Sequence, residues 1–336
     1  MARARANCPA SASVILITGA CFRLPSLLER VEITDPTNQG VGRAADFPRL
    51  AEAAGLDGVG MPDHQHSGRD VYARLTVAAT QTSRISLFPC VTNVLTRHPM
   101  VLASIANSME ELAPGRFRLT VGAGDQSAAH IGRPAATVAE LREAVEMLRA
   151  LLTGQTVAIG TSEAERLASV SPRPVPVHVN ASSPKMVRMA GEVADGVLLM
   201  VGRHPMAMAI AIEALREGAE RAGRTLDDLD VTYALPTFID STTERAQQRA
   251  RAILGFWLKR PTRIFTRHAK ETGASEAALL DGIGLVGTAE ECAEQLRSFA
   301  EQPGAPKHVV CQLYRGDDDP RGLIKAFERT ILPCVK

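Results

Sequence analysis

Short apolar runs recur along the chain, each closed by a polar or glycine cluster, with helix-patterned stretches between them. The plainest are Leu56–Met61, Ile85–Cys90 and Phe117–Val121. Apolar runs of this length bounded by turn residues read as strands buried on both faces, and their alternation with helices reads as successive βα units. On the same grounds Ser13–Thr18 is the expected first strand. Val175–Asn180, Gly196–Val201, a run within Leu229–Ile239, and His308–Leu313 are the fifth to eighth. Arg23–Gly42, with Pro25, Pro36 and Gly40, reads as a long irregular loop after the first strand, placed to cover an active site.

The helical stretches carry their own boundary signals. Ala44–Ala54 stops at Gly55, and Pro99–Leu112 opens on a proline whose missing N–H costs nothing there. Asp70–Thr82 is rich in alanine. The capping box Thr137-x-x-Glu140 introduces Val138, Leu141, Val145, Leu148 and Leu152 at helical spacing. Pro184–Val193, Pro205–Ala222 and Pro320–Ile331 are further helices. Ser241-x-x-Glu244 caps one that runs to Lys259, and Thr288-x-x-Glu291 caps another. Thr153–Arg173 breaks the rhythm and reads as an insertion with a β-like piece at 156–159. Eight strands alternating with helices predict a TIM-like (β/α)8 barrel with insertions, in one domain over 1–336. A doubly wound open sheet is the alternative, weakened by the absence of a GxGxxG turn after the first strand.

Composition narrows the partners. With 38 basic and 37 acidic residues the net charge is +1, which offers no broad pull toward nucleic acid or an anionic membrane. No apolar run reaches the roughly 18 residues of a membrane span. The six cysteines are scattered, without a CxxC pair or Cys/His ligand spacing, so no metal site is expected and a reduced, cytoplasmic protein follows. Arg3 and Arg5 ahead of Val14-Ile15-Leu16-Ile17, with Cys21 beyond, have the outline of an export signal. However, Thr18-Gly19-Ala20 lacks the usual aliphatic residue before a lipidated cysteine, and cleavage would delete the expected first strand.

In a barrel, chemistry sits at the C-terminal ends of the strands. Four clusters fall there. Asp63-His64 follows strand two and could donate or accept a proton near neutral pH; as bare residues it is first a loop pair making turn hydrogen bonds. Cys90-Val91-Thr92-Asn93 ends strand three, where Thr92 and Asn93 suit a heteroaromatic ring edge or, more simply, a strand-end turn. Gly122-Ala123-Gly124-Asp125 ends strand four; its small residues admit a flat ligand, or it is a tight turn with an Asp cap. Ala181-Ser182-Ser183-Pro184-Lys185 opens a helix, and suits either a phosphate or a plain Ser cap. No serine-nucleophile motif or Walker A loop is present.

These four clusters, in this order, resemble the luciferase-like family of flavin- and deazaflavin-dependent oxidoreductases. Thr92-Asn93-x-x-Thr96-Arg97-His98-Pro99 and Gly122-x-Gly124-Asp125 look most like its branch related to methylenetetrahydromethanopterin reductase, which uses the deazaflavin coenzyme F420. The resemblance implies hydride transfer between the deazaflavin C5 and a small organic substrate with a C=O, C=N or C=C bond. His64 and Asp125 would be catalytic. Asp63, Thr92 and Asn93 would face the ring, with a non-prolyl cis bulge at Cys90-Val91 behind it. Gly122 and Gly124 would line the cofactor site, and Ala181, Ser182 and Ser183 would receive the phosphate. It also implies a homodimer through Asp70–Thr82 and Pro99–Leu112. Ser183 and Gln126 stand where the branch usually has Gly and Lys. The expected first strand ends in Thr18-Gly19-Ala20-Cys21, without the acid of the methanopterin reductases, which argues against that substrate. The alternative within the family is an FMN-dependent monooxygenase, which needs reduced flavin from a partner reductase. A barrel that binds a flavin-like ligand without turnover is the non-enzymatic alternative, and the presence of both His64 and Asp125 counts against it.

Overall fold

A computed structural model describes residues 15–17, 20–22, 26–258, 263–264, 267, 282–302, 304–305, 307–314 and 319–336. Much of 259–281 and parts of 13–18 and 23–42 lie outside the described residues. Eight parallel strands form a barrel: β1 (Arg30–Thr34), β2 (Gly58–Met61), β3 (Ser86–Pro89), β4 (Leu119–Gly122), β5 (Val177–Ala181), β6 (Gly196–Leu199), β7 (Asp230–Ile239) and β8 (His308–Leu313). Except at β3 and β4, each pairs in parallel with the next, and β8 pairs with β1. The ring closes between β3 and β4: Leu87 N–H donates to Arg116 O at 2.8 Å, and the short strand Thr92–Asn93 continues from β3 onto Val121–Gly122.

The expected barrel is therefore present, but its first stave is not Ser13–Thr18. Ile15–Ile17 pairs antiparallel with Ala20–Phe22 in a separate hairpin. The first stave is Arg30–Thr34, inside the stretch expected to be loop. Its pattern is broken by Arg30 and Glu32, which barrel geometry turns inward. Glu32 is fully buried, and Arg118 donates to both its oxygens at 2.7 and 2.6 Å from across the barrel. A carboxylate paired in this way is tolerated in a barrel interior. The observed first stave is followed by an acid: Asp35 is buried, and Arg74 donates to it at 2.8 Å. The argument against a methanopterin substrate from the first strand falls with it.

The interior is layered. At the N-terminal end, Arg30 donates to Asp230 and Thr232 at 2.7 Å, and His308 Nδ1 lies 2.9 Å from Asp230. Above this, Phe88, Leu198, Ala234 and Val310 fill the barrel with apolar volume. The larger core lies between staves and helices, where Val31, Ile33, Leu119 and Val179 meet α1 (Asp46–Ala53), α2 (Val71–Gln81), α3 (Pro99–Leu112) and their successors. The boxes at Thr137 and Thr288 form as expected. Ser241 does not cap its helix: that helix begins at Thr243, and Thr242 Oγ1 accepts from Arg245 N–H, while Ser241 bonds Asp240. The 153–173 insertion contains a hairpin, Val157–Ile159 with Ser162–Glu165. Leu285–Gly287, not expected as a strand, pairs with the end of β7. Among the described residues Cys90, Cys292 and Cys311 are free thiols.

Candidate active site

At the C-terminal ends of β2, β3 and β4, one buried carboxylate ties three loops together. Asp63 Oδ2 accepts from Thr92 Oγ1 at 2.7 Å and from Arg97 Nη1 at 2.6 Å. Ser127 Oγ, from the short helix after β4, donates to the Asp63 carbonyl at 2.9 Å. Arg97 also binds Asp70, the N-cap of α2, and lies 5.0 Å from the centre of the Tyr72 ring. Charge-assisted bonds of this kind are short and directional, so the loops after β2 and β3 are held in one register.

The bulge after β3 turns the chain back into the barrel mouth. The Cys90–Val91 peptide is cis, as the resemblance implied. Burial pushes the Cys90 thiol up to about 11. Asn93 is buried; its Oδ1 accepts from Leu95 and Thr96 N–H at 3.1 and 2.9 Å, and its Nδ2 is enclosed without a protein partner. Opposite, a Cβ on Gly122 would come within 3.1 Å of Val91 Cγ2 and 3.7 Å of Asn180, whose enclosed Oδ1 is likewise unpartnered. Gly124 has φ +82°, and a Cβ there would meet Asn93 Cβ at 2.9 Å, so the turn after β4 requires glycine twice over. Unsatisfied buried amides beside a glycine-lined mouth suit a planar polar ligand that supplies their missing bonds.

His64 follows Asp63 and is half-buried. Its Nδ1 is enclosed with no protein partner. Burial and the neighbouring His66 push its pKa down, against the opposing charge of Asp63. An imidazole so placed is neutral over more of the physiological range than a free one. Asp125 begins the short helix Asp125–Ala129, and Arg263 donates to it at 3.2 Å. No hydrogen bond joins His64 to Asp125.

Ala181 ends β5. Ser183 caps the helix Pro184–Val193, its Oγ accepting from Met186 N–H at 3.4 Å, so the plain capping role is filled. The Ser182 carbonyl accepts from Ile264 N–H at 2.9 Å, which sets 263–264 against both this loop and Asp125. The structure thus brings Asp63, Thr92, Asn93, Gly122 and Gly124 into one cluster. His64 sits beside it, and the Ala181–Ser183 loop reaches it along β5 through Asn180. Asn180 was legible only as the last residue of a strand. Arg263 stands in a stretch that carries no motif, and Asp35 in one expected to be loop.

The chain matches the model of the luciferase-like monooxygenase family over residues 26–306. It is 32% identical to a 5,10-methylenetetrahydromethanopterin reductase of Archaeoglobus fulgidus, over 86% of this chain and 95% of that protein. It is 36% identical to an F420-dependent glucose-6-phosphate dehydrogenase of Beutenbergia cavernae, over 60% of this chain and 66% of the relative. The solved coenzyme F420-dependent tetrahydromethanopterin reductase of Methanopyrus kandleri superposes with a TM-score of 0.74 at 22% identity, over 92% of this chain and 99% of that one.

Proposed function

The chain belongs to the luciferase-like monooxygenase family, and on that premise we propose that it is a coenzyme F420-dependent oxidoreductase acting on a small organic substrate. The observation that carries the reading is the glycine-lined mouth over the Cys90–Val91 bulge, where Asn93 Nδ2 and Asn180 Oδ1 are enclosed without protein partners. When bound, the deazaflavin supplies a hydride donor or acceptor at its C5 position for a C=O, C=N or C=C bond. The chain's own residues bind and orient. Thr92, fixed by Asp63, and Asn93 would meet the ring edge, Cys90 and Val91 would back it, and Gly122 and Gly124 would leave room for its face. Ala181, Ser182 and Ser183 receive the phosphate with the backbone N–H groups of the following helix. His64 gives or takes the proton that accompanies hydride transfer, and Asp125 assists from the facing loop.

The same reading takes the whole chain, 1–336, as one catalytic domain and pairs two copies through α2 and α3. Exposed Val101 and Leu112 on α3 support the pairing. No described helix is long and apolar enough to cross a membrane. A cytoplasmic location fits the three free thiols; thiol labelling of the protein in intact cells tests it.

Fluorescence titration with oxidised coenzyme F420 and with FMN tests the cofactor. Tight binding of the deazaflavin and weak binding of FMN is expected. The reverse preference establishes the FMN-dependent monooxygenase alternative and calls for a reductase partner. Binding of neither removes the phosphate-loop assignment.

A further inference from the structure

Two imidazoles outside the site described above stand in line with His64. His66 lies in the short turn Gln65–Ser67 after β2, and His130 caps the end of the Asp125–Ala129 helix after β4. The ring centres of His64 and His66 are 5.6 Å apart at 64°, and those of His66 and His130 are 4.2 Å apart at 41°. Exposure rises along the series: His64 is half-buried, whereas His66 and His130 are exposed. A water bridging ring nitrogens of neighbouring histidines carries a proton from one to the next. Among the described residues no three such groups converge as a metal site.

We propose that His66 and His130 form a proton path between His64 and bulk water. The proposal rests on the reading of His64 as the residue that gives or takes the substrate's proton. Each hydride delivered to a carbonyl carbon makes a C–H bond and moves the π electrons to oxygen, which takes one proton from His64. His64 must regain that proton before the next turnover, and the reverse holds for oxidation. Nδ1 of His64 is enclosed and has no protein partner that could pass the proton on. The groups facing the ring are few. Asp63 is beside it, but its Oδ2 is taken up by Thr92 and Arg97, which leaves it poorly placed to pass protons. His66 and His130 are the remaining titratable neighbours acting on His64, and they connect it to the surface. Their rings come from the loops after β2 and after β4, so the path exists only once those loops meet.

The test uses the full chain with His66→Gln, His130→Gln, both together, and His64→Gln. With coenzyme F420 and a turned-over substrate at low buffer concentration, the double variant is expected to lose about tenfold in kcat with KM unchanged, and added free imidazole is expected to restore the rate. In the cofactor-free protein, NMR of selectively 15N-labelled histidine is expected to show slower proton exchange at the His64 ring in the double variant. A double variant with wild-type rate, no imidazole response and unchanged ring exchange overturns the path, while loss of turnover in His64→Gln keeps the role of His64 itself. Full turnover in His64→Gln overturns both.

Discussion

Asp63 has little to do with substrate and much to do with geometry. One of its oxygens satisfies Thr92 and Arg97 together, and its backbone carbonyl receives Ser127. That arrangement sets His64, the next residue, at the mouth in a fixed orientation, as positional catalysis requires. Replacing His64 with Ala is accordingly expected to lower kcat by about 10²- to 10⁴-fold while leaving coenzyme F420 affinity within about twofold. Steady-state kinetics and fluorescence titration read the two separately, and a variant with wild-type kcat removes the role. The motif residues were legible because each is a polar or glycine interruption after an apolar run. Asn180 and Asp35 were not, since a single Asn or Asp near a strand end carries no signal until its neighbours across the barrel are known.

At the scale of elements, β1 shows where pattern reading stops. Arg30-Val31-Glu32-Ile33-Thr34 alternates charged and apolar residues, and beside Pro25 and Pro36 it reads as exposed chain. Ile15–Ile17 is the more convincing strand by hydrophobicity alone, and it does form one, but in a hairpin of its own. The stave is decided by Arg118, the residue just before β4, whose guanidinium grips Glu32 and lies 3.4 Å from the centre of the Phe88 ring. A buried carboxylate holds such a place only while its partner does. Glu32→Gln leaves the Arg118 charge uncompensated in the barrel interior and is expected to destabilise the fold by about 3–5 kcal/mol. Urea unfolding measures it, and a midpoint equal to wild type shows that the pair does not hold β1 in the barrel.

The whole molecule carries its pH dependence at the end of the barrel away from the site. His178 is buried beside Arg118 and Asp230, and its pKa is pushed down from 6.5 to about 3, chiefly by burial and then by Arg118. The unfolded chain takes up this proton below about 6.5, whereas the folded one resists it to about 3. Stability from this group is therefore complete above 6.5 and falls as pH drops through that window. Burial alone would raise Asp230, but the His308 hydrogen bond and the charges of His178 and Arg30 hold it far below the usual carboxylate range. Its contribution fails at still lower pH, with the same sign. Urea midpoints are expected to decline from pH 7 to 4, with a shallower slope in His178→Asn; parallel slopes would place the acid sensitivity elsewhere.

By itself the sequence determined seven of the eight staves, the helices between them, and the residues at the ends of β2 to β5, because apolar runs, caps and glycines are local signals that survive without neighbours. Tertiary structure alone decided which segment became β1, that an acid follows it, and that Asp63 is a tie between loops. It also decided that three histidines from two loops stand in series. Each of these depends on partners far apart in the chain, and the free energy of such pairs appears only when the barrel closes and excludes water from them.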